Sequence, residues 1–267
     1  MTTALEDMFV RTRNENRAAL IAYLPAGFPS QQGCKDAIAV LAKAGVDAVE
    51  IGYPYSDPVM DGPTIQQAAD MSLKAGTGAA EVFSTLKFAH DCGLPTVVMT
   101  YWNPIERYGV ERFADDMAKN GGSGVVTPDL TIEESERWKN SASSSGINRI
   151  YVVAPSTTDA RLALVTAQCS GFVYAASLMG VTGARTDLSS SGHDLVARVR
   201  KATDLPVAVG LGVSTRAQAR TVAGYADGVI VGSAFIKALL EAKSEESGLE
   251  ALSTLARELV AGVREGR

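Results

Sequence analysis

Two carboxylates stand in a segment whose residue types favour acid–base chemistry. Residues 46–66 read VDAVEIGYPYSDPVMDGPTIQ, a short apolar strand that breaks at Gly52 and leads into a loop with Asp61 and three prolines. Because side chains alternate along a strand and bulky aliphatic residues flank Glu50, this carboxylate is predicted to point inward. Burial there would raise its pKa and suit proton transfer. The alternative is a structural Glu that pairs with an Arg or caps a helix.

The elements that would position these residues alternate along the chain. Short β-branched runs predict eight strands, at Ala19–Leu24, Val46–Ile51, Thr96–Tyr101, Gly124–Thr127, Arg149–Val153, Phe172–Tyr174, Val207–Val209 and Gly228–Val231. Helical composition follows each strand, at Gln31–Ala44, Ile65–Cys92, Gly109–Asn120, Ile132–Ser143, Asp159–Cys169, His193–Ala202, Arg216–Ala223 and from Ala234 onward. This alternation predicts a parallel sheet covered by helices.

The count and the length favour an α/β fold of the (β/α)8 TIM-barrel type, in a single domain over residues 1–267. Leu5–Asn14 is predicted to be an extra N-terminal helix that closes the barrel floor. A doubly wound open sheet is the alternative. Leu24-Pro25-Ala26-Gly27 follows the first strand in place of a glycine-rich fingerprint, so a dinucleotide-binding version of that fold has little support.

Composition excludes several classes of partner. The chain has 46% hydrophobic and 21% charged residues and a formal charge of −5 with no basic cluster, which argues against nucleic acid and anionic membranes. No apolar run approaches a membrane span, and the N-terminus lacks the pattern of a signal peptide, so we expect a cytoplasmic protein. Cys34, Cys92 and Cys169 are scattered, and His90 and His193 lie in no ligand-spaced motif. We therefore expect reduced thiols and no metal.

Glycine-bearing turns follow the last three predicted strands. They are Ser177–Arg185 with the later Ser189–Gly192, Gly210–Ser214 and Gly232–Ala234. In this fold the working residues lie in the loops after the strands, and backbone N–H groups at a helix N-terminus bind a phosphate dianion without Lys or Arg. The turns therefore predict a phosphate site, and the first one is long enough to be a mobile lid.

The segment that contains both carboxylates, together with the later turns, resembles the tryptophan synthase alpha subunit family. The residues Val49-Glu50-Ile51-Gly52-Tyr53-Pro54-Tyr55-Ser56-Asp57-Pro58, followed by Asp61-Gly62-Pro63-Thr64-Ile65-Gln66, look like its signature. The likeness continues through Tyr101-Trp102-Asn103-Pro104, Pro128-Asp129-Leu130 and Gly180-Val181-Thr182-Gly183. Met60, Pro25 and Thr127 depart from the family's common pattern. These three positions bear on the shape of the substrate pocket and on the mobility of the loops, and not on the carboxylates.

The resemblance implies a function and a set of site residues. It implies a lyase that cleaves indole-3-glycerol phosphate by retro-aldol chemistry to indole and glyceraldehyde 3-phosphate, in the last steps of L-tryptophan biosynthesis. The implied reaction calls for neither a metal nor an organic cofactor. The implied catalytic residues are Glu50, Asp61 and Tyr174. The implied phosphate-binding residues are Gly183, Gly212, Gly232 and Ser233. The implied indole pocket consists of Tyr23, Met99, Tyr101, Val126, Val152 and Leu211. The residues themselves add one expectation: Thr182, in the Gly- and Ser-rich loop 178–192, would hydrogen-bond to Asp61 in the loop 53–62 and so couple the two loops. The alternative is that Thr182 is only a turn residue.

The resemblance also implies a protein partner, the tryptophan synthase beta subunit, in an alpha2beta2 complex, with Asp57 and Pro58 at the contact. Two alternatives stay open. One is another phosphate-binding barrel enzyme such as an indole-3-glycerol-phosphate synthase, although those enzymes use a Lys within a barrel strand and no predicted strand core here carries one. The other is a non-catalytic barrel that regulates a partner, against which the carboxylates and the phosphate turns argue.

Overall fold

Parallel strands form the centre of the computed structural model, which describes residues 2–177, 188–210 and 212–267. The strands are β1 (Ala19–Pro25), β2 (Ala48–Gly52), β3 (Thr96–Met99), β4 (Gly124–Val126), β5 (Asn148–Ile150), β6 (Val152–Val153), β7 (Val173–Ala176), β8 (Val207–Gly210) and β9 (Gly228–Val231). Their order in the sheet is β5-β4-β3-β2-β1-β9-β8-β7-β6, and every pair is parallel.

The two edge strands of that order are halves of one chain segment. Only Tyr151 separates β5 from β6, so together they form the fifth strand of a closed barrel, with β5 paired to β4 and β6 paired to β7. The predicted (β/α)8 TIM barrel is therefore confirmed. The observed strand bounds differ from the predicted ones by no more than a few residues.

Helices surround the barrel. They are α1 (Ala4–Asn14), α2 (Gln31–Ala44), α3 (Pro63–Lys74), α4 (Ala79–Asp91), α5 (Trp102–Tyr108), α6 (Val110–Lys119), α7 (Glu136–Ser144), α8 (Asp159–Thr166), α9 (Leu188–Val199), α10 (Arg216–Ala223), α11 (Ser233–Leu240) and α12 (Glu245–Arg264). None of these described helices is long and apolar enough to cross a membrane.

Several predicted helices need correction. The single helix Ile65–Cys92 is wrong, because Gly76 adopts a left-handed conformation with φ of 82° and the chain starts a new helix after Gly78, whose N–H donates to the Glu81 carboxylate at 2.8 Å. The stretch from Ala234 onward is also two helices, and Ser244 caps the second one. α5 was not predicted.

The extra N-terminal helix lies under the barrel, as predicted. The ring of Phe9 packs 5.6 Å from the ring of Phe172, which directly precedes β7. Asn148, at the start of β5, donates a side-chain hydrogen bond of 2.8 Å to the Thr3 hydroxyl, which caps α1. These contacts lie at the N-terminal ends of the strands, so α1 closes the floor and leaves the opposite mouth to the loops that carry the candidate site.

Candidate active site

Glu50 lies inside the barrel on β2, where the register pairs it with Tyr23 of β1 and Val97 of β3. Its side chain is fully buried, and neither carboxylate oxygen has a hydrogen-bond partner among the described residues. Burial, and then the nearby charge of Asp61, raise the pKa of Glu50 to about 8. The carboxyl group is therefore protonated at neutral pH and can donate a proton.

Asp61 comes from the loop after β2 and is only partly buried. Burial raises its pKa above the ordinary value, and a hydrogen bond of 3.2 Å from the Tyr101 hydroxyl to its Oδ2 opposes that rise. The two carboxyl groups therefore sit in different environments. Glu50 is buried with no hydrogen bond from any described residue, whereas Asp61 has a donor that favours its ionised form.

Two buried tyrosines lie near these carboxyl groups. Tyr23 and Tyr174 have pKa values raised well above the ordinary value, first by burial and then by the charges of Asp61 and Glu50. Tyr174 is on β7, on the opposite side of the barrel from β2 in the strand order. The structure thus brings together all three predicted catalytic residues, which come from separate parts of the chain.

Two glycines make room for these phenols, and sequence reasoning missed their role. A Cβ added at Gly52 would lie 2.3 Å from the Tyr23 hydroxyl oxygen, and one added at Gly210 would lie 2.6 Å from the Tyr174 hydroxyl oxygen. Each glycine ends a barrel strand. The signal available in the sequence was a glycine at the end of a strand together with a large polar aromatic on a neighbouring strand.

The predicted indole-pocket residues that the structure describes share the inner face of the barrel with Glu50. Met99 pairs in register with Gly52 and with Val126, and Val152 pairs with Tyr174. Paired residues of a parallel sheet point to the same face. Tyr101 follows β3 as the residue before α5 and is 4% exposed. Leu211 lies outside the described residues.

The predicted phosphate turns lie at the same end of the barrel. Gly212 follows β8 with φ of 66°, which favours glycine, and Gly232 follows β9 as the residue that precedes α11. Ser233 is the first residue of that helix, where backbone N–H groups lack helical acceptors and can bind an anion. Thr182 and Gly183 lie outside the described residues.

The loop after β2 also exposes an apolar edge. Asp57 is exposed and accepts a hydrogen bond of 2.6 Å from the Ser56 hydroxyl, and Pro58 is half-buried. Val59 is 76% exposed and Met60 is 37% exposed.

Among the described residues, no group of His, Cys, Asp and Glu could hold a metal ion.

The fold and this arrangement define a class, a (β/α)8-barrel enzyme with paired carboxyl groups at the carboxyl ends of its strands. The family model for "Tryptophan synthase alpha chain" matches residues 9–264. The chain is 55% identical over 263 residues to the tryptophan synthase alpha chain of Streptomyces avermitilis, covering 98% of this chain and 95% of that protein. It is 49% identical over 261 residues to that of Mycobacterium marinum, covering 98% and 95%.

A solved structure of Mycobacterium tuberculosis tryptophan synthase contains a chain with a TM-score of 0.91 and 47% identity, and the match covers 99% of both chains. The present chain belongs to the tryptophan synthase alpha chain family. Cleavage of indole-3-glycerol phosphate to indole and glyceraldehyde 3-phosphate is the known reaction of this family, and the chain is a carbon–carbon lyase of tryptophan biosynthesis.

Proposed function

We propose that Glu50 and Asp61 carry out this cleavage with separate roles, at the mouth of one barrel domain over residues 1–267. The observation that carries the proposal is the unlike environment of the two carboxyl groups. Glu50 is buried with no hydrogen-bond partner among the residues that the structure describes and has a pKa of about 8, so it holds a proton at neutral pH. Asp61 accepts a hydrogen bond that favours its charged form.

The reaction needs a proton at C3 of the indole ring, because the ring can then leave as neutral indole. Glu50 donates this proton, and the positive charge that develops on the ring nitrogen is stabilised by the Asp61 carboxylate. Glu50, now ionised, accepts the proton of the side-chain hydroxyl. The electrons of that O–H bond form the aldehyde C=O, the carbon–carbon bond breaks, and its electrons return to the ring. Glu50 ends the cycle protonated, as it began.

The remaining site residues bind and orient the substrate. The turns at Gly212 and at Gly232 and Ser233, together with Gly183, would hold the phosphate through backbone N–H groups. Tyr23, Met99, Tyr101, Val126, Val152 and Leu211 would enclose the indole ring, and Tyr174 would contact the substrate beside Glu50. Thr182 stays a predicted hydrogen-bond partner of Asp61 that couples the two loops.

The proposal extends to a partner and a compartment. The beta subunit of tryptophan synthase is the expected partner, in an alpha2beta2 complex that forms in the cytoplasm. The loop after β2 is the proposed contact, because Asp57 and Pro58 lie beside an exposed apolar side chain at Val59. Val59 and Met60 are adjacent exposed apolar residues, and contiguous exposed apolar surface with a polar rim favours a protein contact.

Indole release from indole-3-glycerol phosphate tests the proposal. Glu50→Gln and Asp61→Asn should each lower turnover by at least about a hundredfold, the low end for a positioned acid or base, and leave the fold intact. Glu250→Gln is the matched control, because Glu250 is exposed on α12, far along the chain from the loops of the site. Substantial turnover by Glu50→Gln would remove Glu50 from the proton-carrying role.

A further inference from the structure

One phenol hydroxyl holds the loop that carries Asp61. The Tyr101 oxygen accepts hydrogen bonds from the backbone N–H groups of Val59 and Met60, both at 3.2 Å, and donates to Asp61 Oδ2, also at 3.2 Å. A phenol hydroxyl has one proton to donate and can accept through its oxygen lone pairs. Because two N–H donors point at the oxygen, the remaining direction for its own proton is toward the carboxylate.

Few other hydrogen bonds fix this part of the loop. Within the described residues, those that join residues 57–61 to the rest of the chain end on Tyr101, apart from two. The Ser56 hydroxyl donates to the Asp57 carboxylate at 2.6 Å, and the Gln66 side chain donates to the Asp61 carbonyl oxygen at 2.8 Å. The Val59 side chain is 76% exposed and that of Met60 is 37% exposed, so neither is fixed by burial in the core. The position of the Asp61 carboxylate therefore depends strongly on a single hydroxyl.

Tyr101 itself is rigidly placed. It lies just after β3 and is 4% exposed. Its ring lies 5.2 Å from the ring of Tyr55, an earlier residue of the loop that carries Asp61. The Tyr55 hydroxyl accepts a hydrogen bond of 3.2 Å from the Asn103 side chain. It forms no hydrogen bond with Asp61. The aromatic pair thus has one hydroxyl that reaches the carboxylate and one that does not.

We propose that Tyr101 is a positioning residue, which uses one hydroxyl to tie the backbone of residues 59 and 60 to the Asp61 carboxylate and so sets that carboxylate for the reaction. This inference rests on the proposed role of Asp61. It is distinct from lining the indole pocket, because pocket lining needs only the ring. A Phe at this position would keep the ring and lose the hydroxyl.

Tyr101→Phe should lower kcat by about tenfold, in line with the loss of a hydrogen bond to a charged group, with KM changed by less than about twofold. Loss of a donor to the ionised carboxylate raises its pKa, so the acid limb of the kcat/KM profile should move to higher pH. Tyr55→Phe is the matched control, since it removes the other hydroxyl of the pair. It should keep the wild-type pH profile.

The double variant Tyr101→Phe with Asp61→Asn separates the possible outcomes. If Tyr101 acts through Asp61, the second substitution should add less than about twofold to the effect of Asp61→Asn alone. Fully multiplicative effects, or an unmoved acid limb in Tyr101→Phe, would overturn the positioning role and leave the role of Asp61 standing. Wild-type turnover by Asp61→Asn would overturn the proposed function and, with it, this inference.

Discussion

A buried carboxyl group that lacks hydrogen-bond partners is stable only when it keeps its proton. Glu50 meets that condition, since neither oxygen has a partner in the described part of the chain and its pKa is about 8. A neutral Glu in this position leaves both oxygens free to interact with a substrate. The charge of Asp61 adds to the rise in the pKa of Glu50.

Gly52 allows Tyr23 to lie beside Glu50, which leads to a prediction about stability. Gly52→Ala should lower the free energy of unfolding by about 1–3 kcal/mol, because the new Cβ would lie 2.3 Å from the Tyr23 hydroxyl oxygen in a packed core. Gly62→Ala is the control, since nothing lies within 4 Å of its Cβ position and its φ of −72° suits alanine. Denaturant unfolding measures both, and equal stabilities would contradict the close packing.

The residues of the site were predictable to different degrees. Alternation along the strand correctly placed Glu50 inside, because a period of two leaves no other choice once its neighbours face the helices. The missing hydrogen bonds to Glu50 and the three bonds on the Tyr101 hydroxyl were not predictable. They depend on contacts between segments about 40 residues apart, which spacing along the chain does not encode.

At the scale of the elements, the turns after β8 and β9 carry a prediction about phosphate. A bulky substitution at Gly212 should weaken binding of glyceraldehyde 3-phosphate by roughly tenfold or more, because φ of 66° disfavours other residues and the side chain would displace the backbone that approaches the dianion. Lys237→Ala should change binding by less than about twofold, since this exposed Lys on α11 pairs with Glu241 at 3.6 Å.

Calorimetric titration of both variants with glyceraldehyde 3-phosphate measures the difference. A large loss in Lys237→Ala together with unchanged binding in the Gly212 variant would mean that side chains, and not backbone N–H groups, form the anion site. Ser233→Ala keeps its backbone N–H and should therefore resemble the wild type within a few-fold, which separates the amide from the hydroxyl.

Element boundaries were predicted well where local signals agreed. α2 and α10 match the predicted ranges, and each begins after a residue whose side chain accepts a hydrogen bond from the new helix, Ser30 and Thr215. The failure at Ile65–Cys92 has a local cause. Helical composition continues through that stretch, but Gly76 adopts a left-handed conformation and a new helix starts after Gly78. Two glycines change the average composition too little to show that the helix ends there.

The whole molecule was predictable because the pattern repeats. Eight apolar strands that alternate with helices favour a closed parallel barrel over an open sheet, because closure leaves no strand at an edge. The split of the fifth strand at Tyr151 does not alter that closure. α1 covers one end of the barrel through contacts such as Phe9 on Phe172. The other end is left for loops from distant parts of the chain, so the site is a property of the closed barrel.

The protonation state of Glu50 is the most direct test of the account, since the mechanism requires a carboxyl group that holds its proton at neutral pH. Infrared difference spectroscopy of the wild type against Glu50→Gln isolates the C=O stretch of this protonated carboxyl group. We expect a band at neutral pH that disappears as the pH rises, with a midpoint at about 8, because a raised pKa keeps the proton bound below that value. Absence of the band at neutral pH would mean that Glu50 is already ionised, and it would contradict Glu50 as the proton donor to the indole ring.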